Sequence, residues 1–205
     1  MNKNLGTVDR LVRAIVAELC ILVAFFWAAR EWEIPLYLIA VVMLFQAGTG
    51  TCGAYRLLGR NSCEMVKRKD KNLVRAFALA AVILAAAGIY ASVVLTSNIF
   101  QEDLGKVDVA YSSALQYAGA GQRQEAVQQY GRLESAFAAF QKKYSAYRPL
   151  AVKFDRNFTG EMNNISAAIA GANESIKLGN LTRGREMLQN AGPALQELRK
   201  SAGHY

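Results

Sequence analysis

The pattern of apolar and polar positions changes character near residue 100. Before it, apolar residues come in long unbroken runs. From Ala76 to Phe100 no charged residue interrupts 25 positions rich in Ala, Val, Leu and Ile. About 20 helical residues cross a bilayer core, so this run predicts a transmembrane helix. A second uncharged run extends from Ile34 to Tyr55, with Pro35 suited to a helix start. A third, Ala14 to Ala29, is broken only by Glu18, and Leu11, Val12 and the flanking Arg13 lengthen it by a turn. Three spans are expected. A cleaved signal peptide fits poorly, because Glu18 falls inside the apolar stretch and Phe25-Phe26-Trp27 stands where small residues would be cut. A lipoprotein reading of Ala17-Glu18-Leu19-Cys20 fails similarly, with an acid before the Cys.

After Phe100 the period becomes that of amphipathic helices. Residues 101–119 place Leu104, Val107, Tyr111, Leu115 and Ala118 on one stripe, in a helix that can continue directly from the third span. Residues 122–147 repeat this with Val127, Tyr130, Leu133, Phe137, Phe140, Tyr144 and Tyr147. Residues 149–178 carry Phe154, Phe158, Met162, Ile165, Ile169, Ala172 and Ile176, and 181–201 carry Leu181, Gly184, Leu188, Ala191, Leu195 and Leu198. Gly119 and Gly121, Pro149, and Gly179-Asn180 mark the breaks, while Gly192-Pro193 should bend the last helix. The helices at 122–147 and 149–178 are too long for a tetratricopeptide array. The expected fold is all-α: three transmembrane helices followed by an extracytoplasmic antiparallel four-helix bundle. The domains expected are 1–65, a two-helix membrane module; 66–100, a basic loop and third span; and 101–205, the bundle.

Charge adds a direction. The 205 residues hold 24 Lys and Arg against 16 Asp and Glu, a net charge of +8. The N-terminal flank holds Lys3, Arg10 and Arg13, and the 56–75 loop holds Arg56, Arg60, Lys67, Arg68, Lys69, Lys71 and Arg75. The turn Arg30-Glu31-Trp32-Glu33 is net negative. Basic loops stay in the cytoplasm, which puts the N-terminus inside and everything after Phe100 outside. The cluster Lys67, Arg68, Lys69 and Lys71 is read as a topology signal. Its alternative is contact with anionic lipid headgroups, at about 1 kcal/mol per charge. Nucleic acid is not an expected partner, since the cluster lacks aromatic interleaving and a binding fold.

Candidate chemistry is sparse. Gly48, Gly50 and Gly53 spell G-x-G-x-x-G, but a dinucleotide site needs that turn between a strand and a helix, and here it closes an apolar span. Residues 47–54 are all small, so these glycines are expected to form a helix-packing surface. Cys52 and Cys63 are expected to be reduced thiols at the cytoplasmic membrane edge. The sharper alternative is a thiol pair that accepts sulfur or oxidising equivalents, activated by Arg56 and Arg60. Glu18, the acid inside a span, has Gln46 as its expected hydrogen-bond partner. No cofactor and no metal are expected. There is no C-x-x-C-H and no paired Glu-x-x-His, and the sole His, His204, is not brought opposite a ligand such as Met162.

Two blocks carry a resemblance. Residues 4–13 read Asn-Leu-Gly-Thr-Val-Asp-Arg-Leu-Val-Arg, and 49–63 read Thr-Gly-Thr-Cys-Gly-Ala-Tyr-Arg-Leu-Leu-Gly-Arg-Asn-Ser-Cys. Both are similar to the corresponding blocks of the YgaP-like transmembrane family of bacterial inner-membrane proteins, with Gly53 where that family usually has Pro. The resemblance implies a paired-helix module in a bacterial inner membrane, acting as a dimer. It does not carry over the sulfurtransferase activity of the rhodanese domain often attached in that family. The expected function is a non-enzymatic inner-membrane protein that presents a periplasmic helical bundle for docking or scaffolding, as an accessory subunit of a membrane complex. Its expected partners are lipid, a second copy or a larger complex, and a periplasmic protein. The alternative function is a thiol- or sulfur-handling, or small-anion transport, module built on Cys52 and Cys63.

Overall fold

In the computed structural model of the protein, residues 4–59 and 71–203 are described, and all regular structure among them is helical. The chain divides into two compact units, Met1–Ser92 and Val93–Tyr205.

The first unit holds α1 (Thr7–Phe26), α2 (Arg30–Thr49), α3 (Gly53–Leu57) and the start of α4 (Lys71–Gly119). The α1–α2 turn is tight: the N–H groups of Trp27 and Ala28 both reach the Val23 carbonyl, and Ala29 is extended. α2 begins at Arg30 rather than at the expected Ile34, because Glu31 and Glu33 in its first turn suit the positive end of the helix dipole. It ends at Thr49 rather than running on to Tyr55. Gly50 turns left-handed, with φ of 70°, and its N–H closes onto the Gln46 carbonyl. The uncharged run from 34 to 55 is therefore two elements.

Two described helices, not three, are long and apolar enough to cross a membrane: α2, and α4 from Asn72 onward. α1 fails on composition, since Asp9, Arg10 and Arg13 occupy its first two turns and Glu18 its middle. Only 13 residues, 14–26, remain beyond Arg13. At 1.5 Å per residue they fall short of a bilayer core of about 30 Å. On α2, Ile34, Leu38, Val41, Val42 and Phe45 are each more than half exposed, as are Leu79, Val82 and Ile83 on α4. Moving the exposed parts of these eight side chains into hydrocarbon gains roughly 7–15 kcal/mol, so lipid is the natural solvent for these faces. α1 meets α4 where Leu22 covers Gly88: a Cβ added at Gly88 would lie 2.9 Å from Leu22 Cδ1. Nearby, Trp27 Nε1 donates to Ser92 Oγ at 3.0 Å.

The second unit is built from the rest of α4, α5 (Arg123–Ala146), α6 (Leu150–Lys153), α7 (Phe158–Leu178), α8 (Leu181–Gln189) and α9 (Gly192–Gly203). They enclose one core, to which the expected stripes contribute Leu104, Val107, Tyr130, Leu133, Phe137, Phe140, Tyr144, Phe158, Met162, Ile165, Ile169, Ile176, Leu188, Leu195 and Leu198. The pairings run antiparallel. Asp103 of α4 meets Lys143 and Tyr144 of α5, and Asp108 meets Arg199 of α9. Tyr130 of α5 donates to the Ile169 carbonyl at 2.7 Å, and Arg123 donates to the Lys177 carbonyl at 3.0 Å. At one end of the core the Phe100 ring sits 4.8 Å from Tyr144, 5.4 Å from Phe140 and 6.4 Å from Phe158.

Two expected helices are interrupted. The 149–178 segment breaks between α6 and α7, where the Asp155 carboxylate accepts the Asn157 N–H at 2.8 Å and so competes with the helical ladder. Phe154, expected in the core, is 72% exposed. The 181–201 segment breaks between α8 and α9, as Gly192-Pro193 suggested, with Pro193 at the second position of the new helix. α7 and α8 approach closely at Gly184, where an added Cβ would lie 2.4 Å from Ile176 Cγ1.

Candidate functional site

The densest polar constellation of the first unit gathers around the C-terminal end of α2. A helix end leaves carbonyls without partners, and burial requires that something else satisfy them. Here the N-terminal segment does so. The N–H groups of Asn4 and Leu5 both donate to the Gly50 carbonyl at 3.1 Å. Asn4, only 9% exposed, clamps Cys52 from both sides. Its Nδ2 donates to the Cys52 carbonyl and its Oδ1 accepts the Cys52 N–H, each at 2.8 Å. Arg10 Nε donates to the Ala47 carbonyl at 2.6 Å and Nη2 to the Gly48 carbonyl at 3.1 Å. A guanidinium there also complements the negative end of the α2 dipole.

One turn further along α1, Arg13 is held by Asp9 at 3.0 Å, an i,i+4 ion pair with both partners mostly covered. Its Nη1 donates to Gln46 Oε1 at 2.6 Å, and its guanidinium carbon lies 5.4 Å from the Tyr55 ring centre. The first-block residues Asn4, Asp9, Arg10 and Arg13 thus form a clasp on the end of α2. From the sequence, Arg10 and Arg13 are expected as topology charges and as part of the resemblance at 4–13, not as ligands of a helix end. The Asp-Arg-x-x-Arg spacing, which puts Asp9 and Arg13 one turn apart, was the signal available for their second role.

The structure relocates several expected site residues. Gln46 is engaged by Arg13 rather than by Glu18, while Glu18 Oε1 is buried without a hydrogen-bond partner. Gly48 and Gly53 have open space where a Cβ would stand, so within the chain they are not a packing surface. Gly50 serves as the helix terminator, and the close helix approach is at Gly88 instead. Gly88 is the single glycine in the 76–100 run, and that was its signal. Cys52 is 4% exposed, its backbone held by Asn4. Cys63, Lys67, Arg68 and Lys69 lie outside the described residues, as does His204, and Lys71 is the first residue of α4. The pairing of Cys52 with Cys63 is therefore not on view. Among the described residues no group of three His, Cys, Asp or Glu is placed to hold a metal ion.

Residues 1–66 match the family model described as inner membrane protein YgaP-like, transmembrane domain. The first third of the chain is thus similar to the YgaP-like transmembrane domain. No curated protein and no solved structure matches the chain. The clasp, α1 and α2 all fall within the matched residues, whereas the second unit lies entirely outside them.

The second unit has its own polar centre. Asp103 accepts from Lys143 Nζ at 2.6 Å, Tyr144 Oη at 2.9 Å and Lys106 Nζ at 3.1 Å. Partial burial pushes its carboxyl up, but the bonds from Lys143, Lys106 and Tyr144 outweigh that and hold it below the ordinary carboxylate range. Burial, then the bond to Asp103, pushes the Tyr144 hydroxyl far up, so it remains a donor. An open cleft of about 440 Å³ lies between α7 and α8–α9, lined by Ala167, Ala168, Gly171, Met187 and Pro193, with Asn164 and Asn190 among its polar groups.

Proposed function

We propose that this integral membrane protein is a non-enzymatic accessory subunit of an inner-membrane complex. It presents a four-helix bundle on the periplasmic side as a docking or scaffolding surface. The observation that carries this reading is the double character of α4. Its 76–100 run is uncharged and bares Leu79, Val82 and Ile83, while its later turns give Phe100, Leu104, Val107, Ala114 and Ala118 to a packed core. One continuous helix therefore serves as membrane span and as founding strut of the extramembranous unit. The similarity of residues 1–66 to the YgaP-like transmembrane domain of inner-membrane proteins supports this location.

In this reading α1 is the third span: its 13-residue apolar stretch is short for a bilayer core, and the flanking arginines reach out to the headgroups to make up the length. It runs antiparallel beside α2, from the Arg10–Ala47 bond at one end to the turn at residues 27–29 at the other. A helix paired along the length of a spanning neighbour shares its depth. The clasp then lies at the cytoplasmic face, where Arg10 and Arg13 follow the positive-inside rule. A homodimer through the lipid-facing surfaces of the YgaP-like domain belongs to the same proposal. The thiol-handling alternative gains nothing from Cys52, whose burial limits access by a reactant.

The test is purification of the tagged full chain from membranes in mild detergent after brief crosslinking. A stoichiometric second protein, lost when the chain is cut back to residues 1–100, supports the reading. A clean isolated homodimer contradicts it.

A further inference from the structure

The connection between α5 and α7 lies at the level where α4 leaves its uncharged run. Tyr147 hydrogen-bonds Thr96, one turn before Phe100, and the rings of Tyr144 and Phe158 flank Phe100 at 4.8 and 6.4 Å. The segment that links these residues is charged in a particular way. Residues 142–157 hold five basic side chains and one acid, whereas the rest of 101–205 holds eight basic and nine acidic. The positive charge of the second unit is thus concentrated in one short stretch beside the end of the uncharged run of α4. The rule that keeps basic loops in the cytoplasm does not account for it, because folded domains translocate largely regardless of charge.

The helix break adds an apolar element. A continuous 149–178 helix would carry Phe154 on the core stripe, but the break releases it to 72% exposure. The single acid, Asp155, is turned into the fold: one oxygen accepts the Asn157 N–H and the other the Ser201 hydroxyl at 2.9 Å. An exposed aromatic ring is left between Lys153 and Arg156 in the sequence, and Arg156 and Lys142 are both exposed. An aromatic at headgroup depth beside several cations is the combination by which surface segments hold a lipid interface.

We propose that residues 147–157, together with Lys142, form a membrane-surface anchor for the anionic phospholipid headgroups of the bilayer that α4 enters. Phe154 sits at the headgroup boundary, and Lys142 and Arg156 pair with the phosphates. The proposal rests on the reading of Ala76–Phe100 as a span.

The experiment is hydrogen–deuterium exchange on the full chain in nanodiscs of phosphatidylcholine alone or with phosphatidylglycerol. In the anionic discs, amides of 147–157 should exchange about fivefold more slowly than in the neutral discs. The difference should vanish in 1 M salt, where the screening length falls to about 3 Å, and in the double variant Lys142→Gln/Arg156→Gln. Phe154→Ser should lose protection in the anionic discs while melting in detergent at the wild-type temperature. Equal exchange in the two discs overturns the anchor, as does protection that survives in both variants. Equal protection of the detergent-solubilised chain by inorganic phosphate assigns a free-anion site and overturns it too. A chain that fails to enter nanodiscs removes the span itself, an outcome distinct from entry without headgroup dependence.

Discussion

Asn4→Ala is the sharpest perturbation of the clasp. It removes two hydrogen bonds of 2.8 Å at a buried position and strands the Cys52 N–H, while the Cys52 carbonyl keeps the Arg56 N–H at 3.1 Å. Leaving a buried polar group unsatisfied costs about 1–3 kcal/mol, and losing one of two bonds at a carbonyl about 0.5–1.5 kcal/mol, which together amount to roughly 2–4 kcal/mol. That loss falls on the local opening that separates the N-terminal segment from α2, not on the whole molecule. Cys52 reports this opening directly, because its thiol is 4% exposed when the clasp is closed. If alkylation proceeds through the open state, 2–4 kcal/mol corresponds to an increase of about 30- to 1,000-fold in rate. The assay is timed alkylation in native membranes, read by mass spectrometry on the peptide that contains Cys52. Cys20, inside α1, serves as the internal control and should change little. An Asn4→Ala chain whose Cys52 reacts at the wild-type rate would refute the clasp as an energetic element, whatever the distances.

Other substitutions probe the second unit. Gly184→Ala should lower stability by about 1–3 kcal/mol through the clash with Ile176, whereas Gly131→Ala, with open space around it, should be neutral or raise it by roughly 0.5–1 kcal/mol; thermal unfolding in detergent compares them. Glu161 has a buried oxygen without a hydrogen-bond partner, and burial, then the charges of Asp155 and Glu197, push its carboxyl above the ordinary value. A raised folded value means that the charged form is the disfavoured one. Stability from this group is full below the unfolded value of about 4.3 and lost as pH rises through the higher folded value. Glu161→Gln should therefore raise the melting temperature at pH 7.5 and make little difference near pH 4, and a variant less stable at pH 7.5 would oppose this. Tyr130→Phe removes the bond to the Ile169 carbonyl and should cost about 1 kcal/mol in the same assay.

What could be read from the sequence follows from how each feature is encoded. The core stripes were legible because burial imposes a period, and Tyr130, Phe137, Ile165 and Ile169 lie where that period puts them. The break at 154–157 was not, since Phe154 and Phe158 keep helical spacing; only the Asp155 carboxylate, satisfying the Asn157 N–H, decides against the helix. The end of α2 was hidden for a related reason. An uncharged run marks where lipid is tolerated, but the helix stops where Gly50 turns left-handed. The clasp escaped because Arg10 binds the carbonyls of Ala47 and Gly48, and a backbone carbonyl carries no residue signature. Gln46 went to Arg13 rather than Glu18 because the Asp9 carboxylate holds the Arg13 guanidinium where it reaches Gln46.

The central claim is that α4 crosses the membrane and delivers the second unit to the periplasmic side. An epitope inserted at the exposed turn Gly121-Gln122 between α4 and α5 tests it most directly, probed with an impermeant protease on intact spheroplasts. Cleavage in intact spheroplasts, with a cytoplasmic marker protein left whole, is the expected result. Protection until the membrane is lysed would place the second unit on the cytoplasmic side and contradict the account.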